Sequence, residues 1–146
     1  MNTTWILSAH RAGAKLYERR PNGAFRLVRE IAHPEGRLQS HEMGTDRPGT
    51  TGEPGGVQRN AYGTDRDPAE ETALAFARAL AAELTRARNE HACESFVLLA
   101  PPQFLGTLRK ELDAPTATMV THSAPLDLAH ATEDEVKKHV EDVLKS

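Results

Sequence analysis

Residues 96–112, FVLLAPPQFLGTLRKEL, decide how this chain folds. Phe96, Val97, Leu98, Leu99 and Ala100 form an unbroken apolar run, too short for a helix and without a polar face. That is the pattern of a strand buried on both sides. Pro101 and Pro102 stop it: neither can donate a ladder hydrogen bond, while their fixed φ suits the first turn of a helix. Phe104, Leu105, Leu108 and Leu112 then recur at helical spacing as one stripe. A buried strand feeding straight into an amphipathic helix is the first half of a strand–helix–strand unit. The strand completing it must run parallel to the first, reached by a right-handed crossover. Ala117–Thr121 is the segment expected to supply it.

Upstream, Trp5-Ile6-Leu7-Ser8-Ala9 is a second compact apolar run and reads as a strand. His10-Arg11-Ala12-Gly13 is a turn, and Ala14 to Glu18 alternates as a strand does. Pro21-Asn22-Gly23 is a strong turn signal, after which Phe25, Leu27 and Val28–Ile31 form a third strand ended by Pro34. Two successive hairpins make an antiparallel meander. Asp67, Pro68 and Glu70 carry the marks of a helix start: a capping carboxylate, a proline at the first helical position and a capping-box partner. Ala73, Phe76, Ala77, Leu80, Ala81 and Leu84 give that helix its apolar stripe. A last helix starts at Thr132, with Glu135 as capping-box partner, and buries Val136, Val140, Val143 and Leu144.

The fold class is therefore α/β, with a mixed sheet in an RNase H-like, three-layer layout. An N-terminal antiparallel meander is followed by two parallel strands with crossover helices. Residues 1–146 read as a single domain with a long flexible loop at about 35–66, where periodicity vanishes and Gly, Pro, Thr and charged residues dominate.

The chain has 146 residues, a mass of 16.0 kDa and a net charge of −3. That balance argues against binding nucleic acid through bulk positive charge. The single cysteine, Cys93, cannot form an internal disulfide and suits a reducing compartment. "MNTTWILSAHRAG" has no basic leader, and no run reaches the roughly 20 apolar residues of a membrane helix, so a cytoplasmic protein with no membrane partner is expected. His33 and His41, with Glu35 and Glu42, are the densest metal-like cluster, but nothing matches HExxH, and no metal or cofactor is expected. His91 and His139 are placed near helix C-termini, where an imidazolium is favoured. An RNase H nuclease needs carboxylates converging on its strands, whereas these strands carry Ser8, His10, Glu18 and Glu30. No G-x-S-x-G elbow, phosphate loop or GxGxxG is present.

The segments WILSAHRAGAKLYE, AHPEGR, DRPG, DPAEETALAFARALAAEL, FVLLAPPQFLGTLRKEL and DLAHATEDEV together resemble the bacterial host attachment proteins, a family named for a phenotype. The shared positions include His33, Pro34, Asp46, Pro48, Gly49, Pro101, Pro102, Phe104, Leu105 and Gly106. Where many relatives are expected to carry His after the helix-starting proline, this chain has Ala69. The family in turn resembles the central domain of archaeal and eukaryotic peptide-chain release factors, which has an RNase H-like fold. In release factors a Gly-Gly-Gln loop before the long helix enters the peptidyl transferase centre, and the glutamine backbone N–H helps place the hydrolytic water.

The resemblance implies that Gly55, Gly56 and Gln58 form a loop tip, with Arg59, Arg37 and Arg47 as binding contacts to the ribosome or RNA. In Gly55-Gly56-Val57-Gln58 the glutamine stands one position late. Arg37, Arg47, Arg59 and Arg66 are balanced by Glu42, Asp46, Glu53 and Asp65, whereas a loop against ribosomal RNA is basic. Peptidyl-tRNA hydrolysis is the sharpest expectation and the one these departures count against, so no catalytic residue is assigned. The alternative is a non-catalytic protein-binding or regulatory domain with an indirect role in attachment, its 35–66 loop ordering on a partner protein.

Overall fold

The computed structural model describes residues 3–10, 12–33 and 68–145. In chain order the elements are β1 (Thr4–His10), β2 (Gly13–Arg19), β3 (Phe25–Ala32), α1 (Pro68–Asn89), β4 (Ser95–Ala100), α2 (Pro102–Glu111), α3 (Ala114–Ala117), β5 (Val120–Pro125) and α4 (Glu133–Lys145). The five strands form one mixed sheet in the order β3-β2-β1-β4-β5. β1 pairs antiparallel with β2 and β2 with β3, whereas β1 and β4, and β4 and β5, pair in parallel.

Period-two alternation sorts the apolar runs onto the two faces. Leu7, Leu16, Phe96 and Leu98 meet Phe76, Leu80 and Leu84 of α1 and Leu108 of α2. Ile6, Tyr17, Val97 and Leu99 face the other way, against Val136 and Val140 of α4. The unbroken apolar runs of β1 and β4 are thus explained, because both of their faces are covered. β3 lies at the sheet edge and is mostly exposed, with Leu27 at 39%.

Each edge strand holds one extra residue. In β3, Val28 falls between the pairs Leu16–Arg29 and Tyr17–Leu27. In β5, Thr121 falls between Phe96–Val120 and Val97–His122. The bulge in β3 leaves Arg29 opposite Leu16, on the α1 side, where Nη1 donates to Glu83 Oε1 at 2.9 Å.

The last strand differs from expectation. The apolar pattern points to Ala117–Thr121, but Ala114–Ala117 is a helical turn and the strand begins at Val120. Asp113 N-caps that turn, accepting from the Thr116 N–H at 2.9 Å, with Pro115 in its first positions. A capping aspartate followed closely by proline is a helix start, and it outranks the apolar look of Ala117 to Val120. The α4 start is as expected: the Thr132 N–H donates to Glu135 Oε1 at 2.9 Å and the Glu135 N–H to Thr132 Oγ1 at 3.1 Å.

Candidate functional site

β1, β4 and β5 all end at one edge of the sheet, at His10, Ala100 and Pro125, and β2 starts and β3 ends there too. From β1 the chain turns toward β2 on one side; from β4 it crosses to β5 on the other. The strand order therefore reverses direction between β1 and β4, the place where open α/β sheets receive their ligands.

The β1–β2 turn is built into this edge. The Ala12 N–H donates to His10 Nδ1 at 3.1 Å, which leaves Nε2 to carry the proton of the neutral ring. The His33 N–H donates to the Ala12 carbonyl at 3.0 Å, tying the exit of β3 to the same turn. Gly13 lets the strands approach closely here: a Cβ would stand 3.0 Å from the Ile31 carbonyl oxygen, so the paired strand would have to give by a few tenths of an ångström.

His33 is buried, and its ring lies flat on Phe76 of α1, centroids 4.0 Å apart and planes 5° from parallel. Phe76 in turn meets Phe104 of α2 at 5.9 Å. A row of three rings thus joins the last residue before position 34 to the helix that begins at Pro68, and both to α2. The described chain stops at His33 and resumes at Pro68.

The structure brings together His33 and Phe104 through Phe76, which the sequence shows only as part of an apolar stripe. The short-range signal that could have marked the edge is the turn His10–Gly13 itself. Pro101 and Pro102 sit at the α2 start, where the Leu105 N–H donates to the Pro101 carbonyl at 2.8 Å, and Leu105 is half-buried. Gly106 is exposed mid-helix, and a Cβ there would meet nothing within 4 Å. Pro34, Arg37, Asp46, Arg47, Pro48, Gly49, Gly55, Gly56, Gln58 and Arg59 lie outside the described residues, as do His41, Glu35 and Glu42.

Other candidates dissolve into local structure. Burial, with Glu94 nearby, pushes the Cys93 thiol up to about 12, so it is a small apolar residue and no nucleophile. His91 follows α1 with φ 57°; its N–H donates to Arg88 O at 3.0 Å and the Ala92 N–H to Ala87 O at 2.9 Å. That is a Schellman close, so its placement has a backbone cause rather than a charge cause. His139 lies well inside α4, which continues to Lys145. With Asp127, His130 and Glu135 it lines a cavity of about 600 Å³. Asp127 there accepts from the Ala129 N–H and Glu135 from the Thr132 N–H. Among the described residues, no group of three His, Cys, Asp or Glu could hold a metal ion. Among them too, no helix is long and apolar enough to cross a membrane.

Most of the described arginines are answered by carboxylates. Arg19 forks onto Glu141 at 2.7 and 3.0 Å. Arg20 and Arg26 meet Glu18, Arg29 and Arg86 meet Glu83, Arg78 meets Glu111, and Arg88 meets Asp113. Burial works to raise the Glu18 carboxyl, but the hydrogen bonds and charges of Arg26 and Arg20 outweigh it and hold it below its ordinary value.

A family model described as "Protein required for attachment to host cells" matches residues 5–140. No curated protein matches the chain. Among solved structures, one described as "Archaeal protein" aligns at a TM-score of 0.47 and 10% identity, covering 99% of this chain and 38% of that one. The chain thus spans well under half the length of that protein.

Proposed function

Because the chain belongs to the family of proteins required for attachment to host cells, we propose that it acts in the cytoplasm as a stand-alone, release-factor-like module that associates with the ribosome, and that its link to attachment is indirect. The observation that carries this is the edge geometry: the span 34–67 starts at buried His33 and returns into α1, and the His33–Phe76 stack joins the two. In the sequence Gly55-Gly56-Val57-Gln58 falls between β3 and the long helix, as the glycine-rich loop of a release factor does. A meander followed by parallel strands in the order β3-β2-β1-β4-β5 supports the RNase H-like scaffold that this role requires. The span is the working part and the sheet with its helices is the mount.

Sedimentation with ribosomes in low and high salt tests the association. The module is expected to travel with ribosomes and to be released as salt rises. A protein that stays in the supernatant at low salt refutes the proposal. Release of labelled peptide from stalled ribosomes by the wild type and by Gln58→Ala separates binding from hydrolysis; binding without release is the expected result.

A second reading is a regulatory domain that binds another protein through the same span. The arginine–carboxylate pairs favour it, since they engage most of the described arginines with carboxylates rather than with phosphate. Recovery of one discrete protein and no ribosomal material in a pull-down would select this reading.

A further inference from the structure

We infer that Asn22 is a site of spontaneous chemical modification, at which its side chain closes onto the Gly23 backbone nitrogen with loss of ammonia, and that the β2–β3 hairpin restrains this reaction while it stays closed. The inference is independent of the function proposed above.

Asn22 and Gly23 stand at the tip of that hairpin, and both are exposed. Asn2, Asn60 and Asn89 precede Thr3, Ala61 and Glu90, whose side chains hinder approach to the backbone nitrogen; Asn22 precedes a residue with no Cβ. The turn itself demands that pairing. Gly23 has φ +94°, a conformation that L side chains rarely adopt, while a Cβ there would meet nothing within 4 Å. The glycine is kept for its backbone and not for space, and a reactive Asn-Gly pair comes with it.

The Gly23 nitrogen gives up its proton and attacks Asn22 Cγ, forming a C–N bond. The Cγ–Nδ2 bond then breaks, and Nδ2 leaves as ammonia with that proton. Water opens the resulting five-membered imide at one of its two carbonyls, leaving aspartate or its β-linked isomer. Solvent is the only co-reactant.

Three hydrogen bonds shape the closed turn. The Arg20 N–H donates to the Ala24 carbonyl and the Gly23 N–H to the Arg20 carbonyl, both at 2.9 Å, and the Ala24 N–H donates to Asn22 Oδ1 at 2.9 Å. The last of these assists the reaction, because Oδ1 is the oxygen on which charge develops during attack. The bond from Gly23 opposes it, because that proton must leave. Asn22 keeps a negative φ, so Arg20–Gly23 is a type I turn, with Pro21 second and the ψ of Asn22 near 0. There the Gly23 nitrogen eclipses the Asn22 nitrogen, whereas ring closure needs it to eclipse Cβ, about a third of a turn away. That rotation breaks the bond to Arg20, so the restraint outweighs the assistance.

The test follows the full chain at mildly alkaline pH, in buffer and in guanidinium chloride, as wild type, Pro21→Ala and Asn22→Ser. Modification adds one negative charge to a chain of net charge −3, so ion exchange separates the product and peptide mass mapping places it. The wild type should convert at Asn22 in both conditions, more slowly in buffer by about two- to tenfold, the worth of the Gly23–Arg20 bond. Pro21→Ala loosens the turn without touching the reacting atoms. It should match the wild type in denaturant and exceed it in buffer. Asn22→Ser should give no product at that position. Absence of conversion at Asn22 in denaturant refutes the site, and equal wild-type rates in buffer and denaturant refute the restraint.

Discussion

Replacing His91 with glycine should make the protein more stable, although it removes a side chain and touches no partner. His91 occupies the left-handed position that closes α1, with φ 57° and both hydrogen bonds of a Schellman motif in place. An L-residue held there carries a cost of about 1–2 kcal/mol that glycine does not, because its Cβ crowds the following carbonyl. Glycine also gives the unfolded chain more freedom, which offsets about 0.4–1 kcal/mol of the gain. The net expectation is a stabilisation of about 0.5–1 kcal/mol, and each kcal/mol moves the melting temperature of a chain this size by about 2–4 °C. The sign depends on position. Ala82, exposed in the body of α1, should lose about 1 kcal/mol when changed to glycine, since helical φ gives that residue nothing in return. Urea unfolding followed by helix circular dichroism reads both variants, with equal slopes required before midpoints are compared. A His91→Gly protein that unfolds at lower urea than wild type would show that the imidazole contributes more than the backbone geometry costs, and the reasoning would fail.

Three further outcomes follow from the same structure. Gly106→Ala should stabilise α2 by about 0.5–1 kcal/mol, because the added methyl meets nothing within 4 Å and the helix gains an alanine; thermal melts check it. Glu18 has a folded-state pKa below its ordinary value, so its contribution is present above that ordinary value and is lost as pH falls through the lowered one. Urea midpoints between pH 7 and pH 3 should therefore fall more steeply for wild type than for Glu18→Gln, whose cost at pH 7 is about 1.5–3 kcal/mol, the range for a charged hydrogen bond. Cys93, buried and pushed up to about 12, should resist a thiol reagent at pH 8 in the native protein and react once urea unfolds it; rapid native labelling would contradict the buried placement.

Much of the fold is legible because burial on both faces leaves a plain mark. Trp5–Ala9 and Phe96–Ala100 hold almost no polar position, and each lies within a central strand of the sheet. The strand after α2 is harder to place for the opposite reason. As an edge strand, Val120–Pro125 has no need of an apolar run, so Thr121, His122 and Ser123 hide it while the neighbouring alanines imitate it. The site is less legible still. AHPEGR shows a single histidine before a proline, and nothing local tells that its ring will lie on Phe76, which periodicity assigns to a helix stripe. Stacking across a long insertion is a property of the closed chain, and a sequence window cannot contain it. The positions that the resemblance puts at the loop tip, Gly55, Gly56 and Gln58, lie outside the described residues, so their chemistry rests on the sequence and on the experiments above.

The extra residues in β3 and β5 have a consequence beyond their own strands. A sheet whose rims offered regular ladders could add a copy of itself at each end, and a mixed sheet with two such rims would grow without limit. Val28 interrupts one rim and Thr121 the other, and Arg26, Arg29 and Glu30 place charges along the first. Both rims are thereby made poor templates for edge-to-edge pairing, one by its bulge and its charges and the other by its bulge.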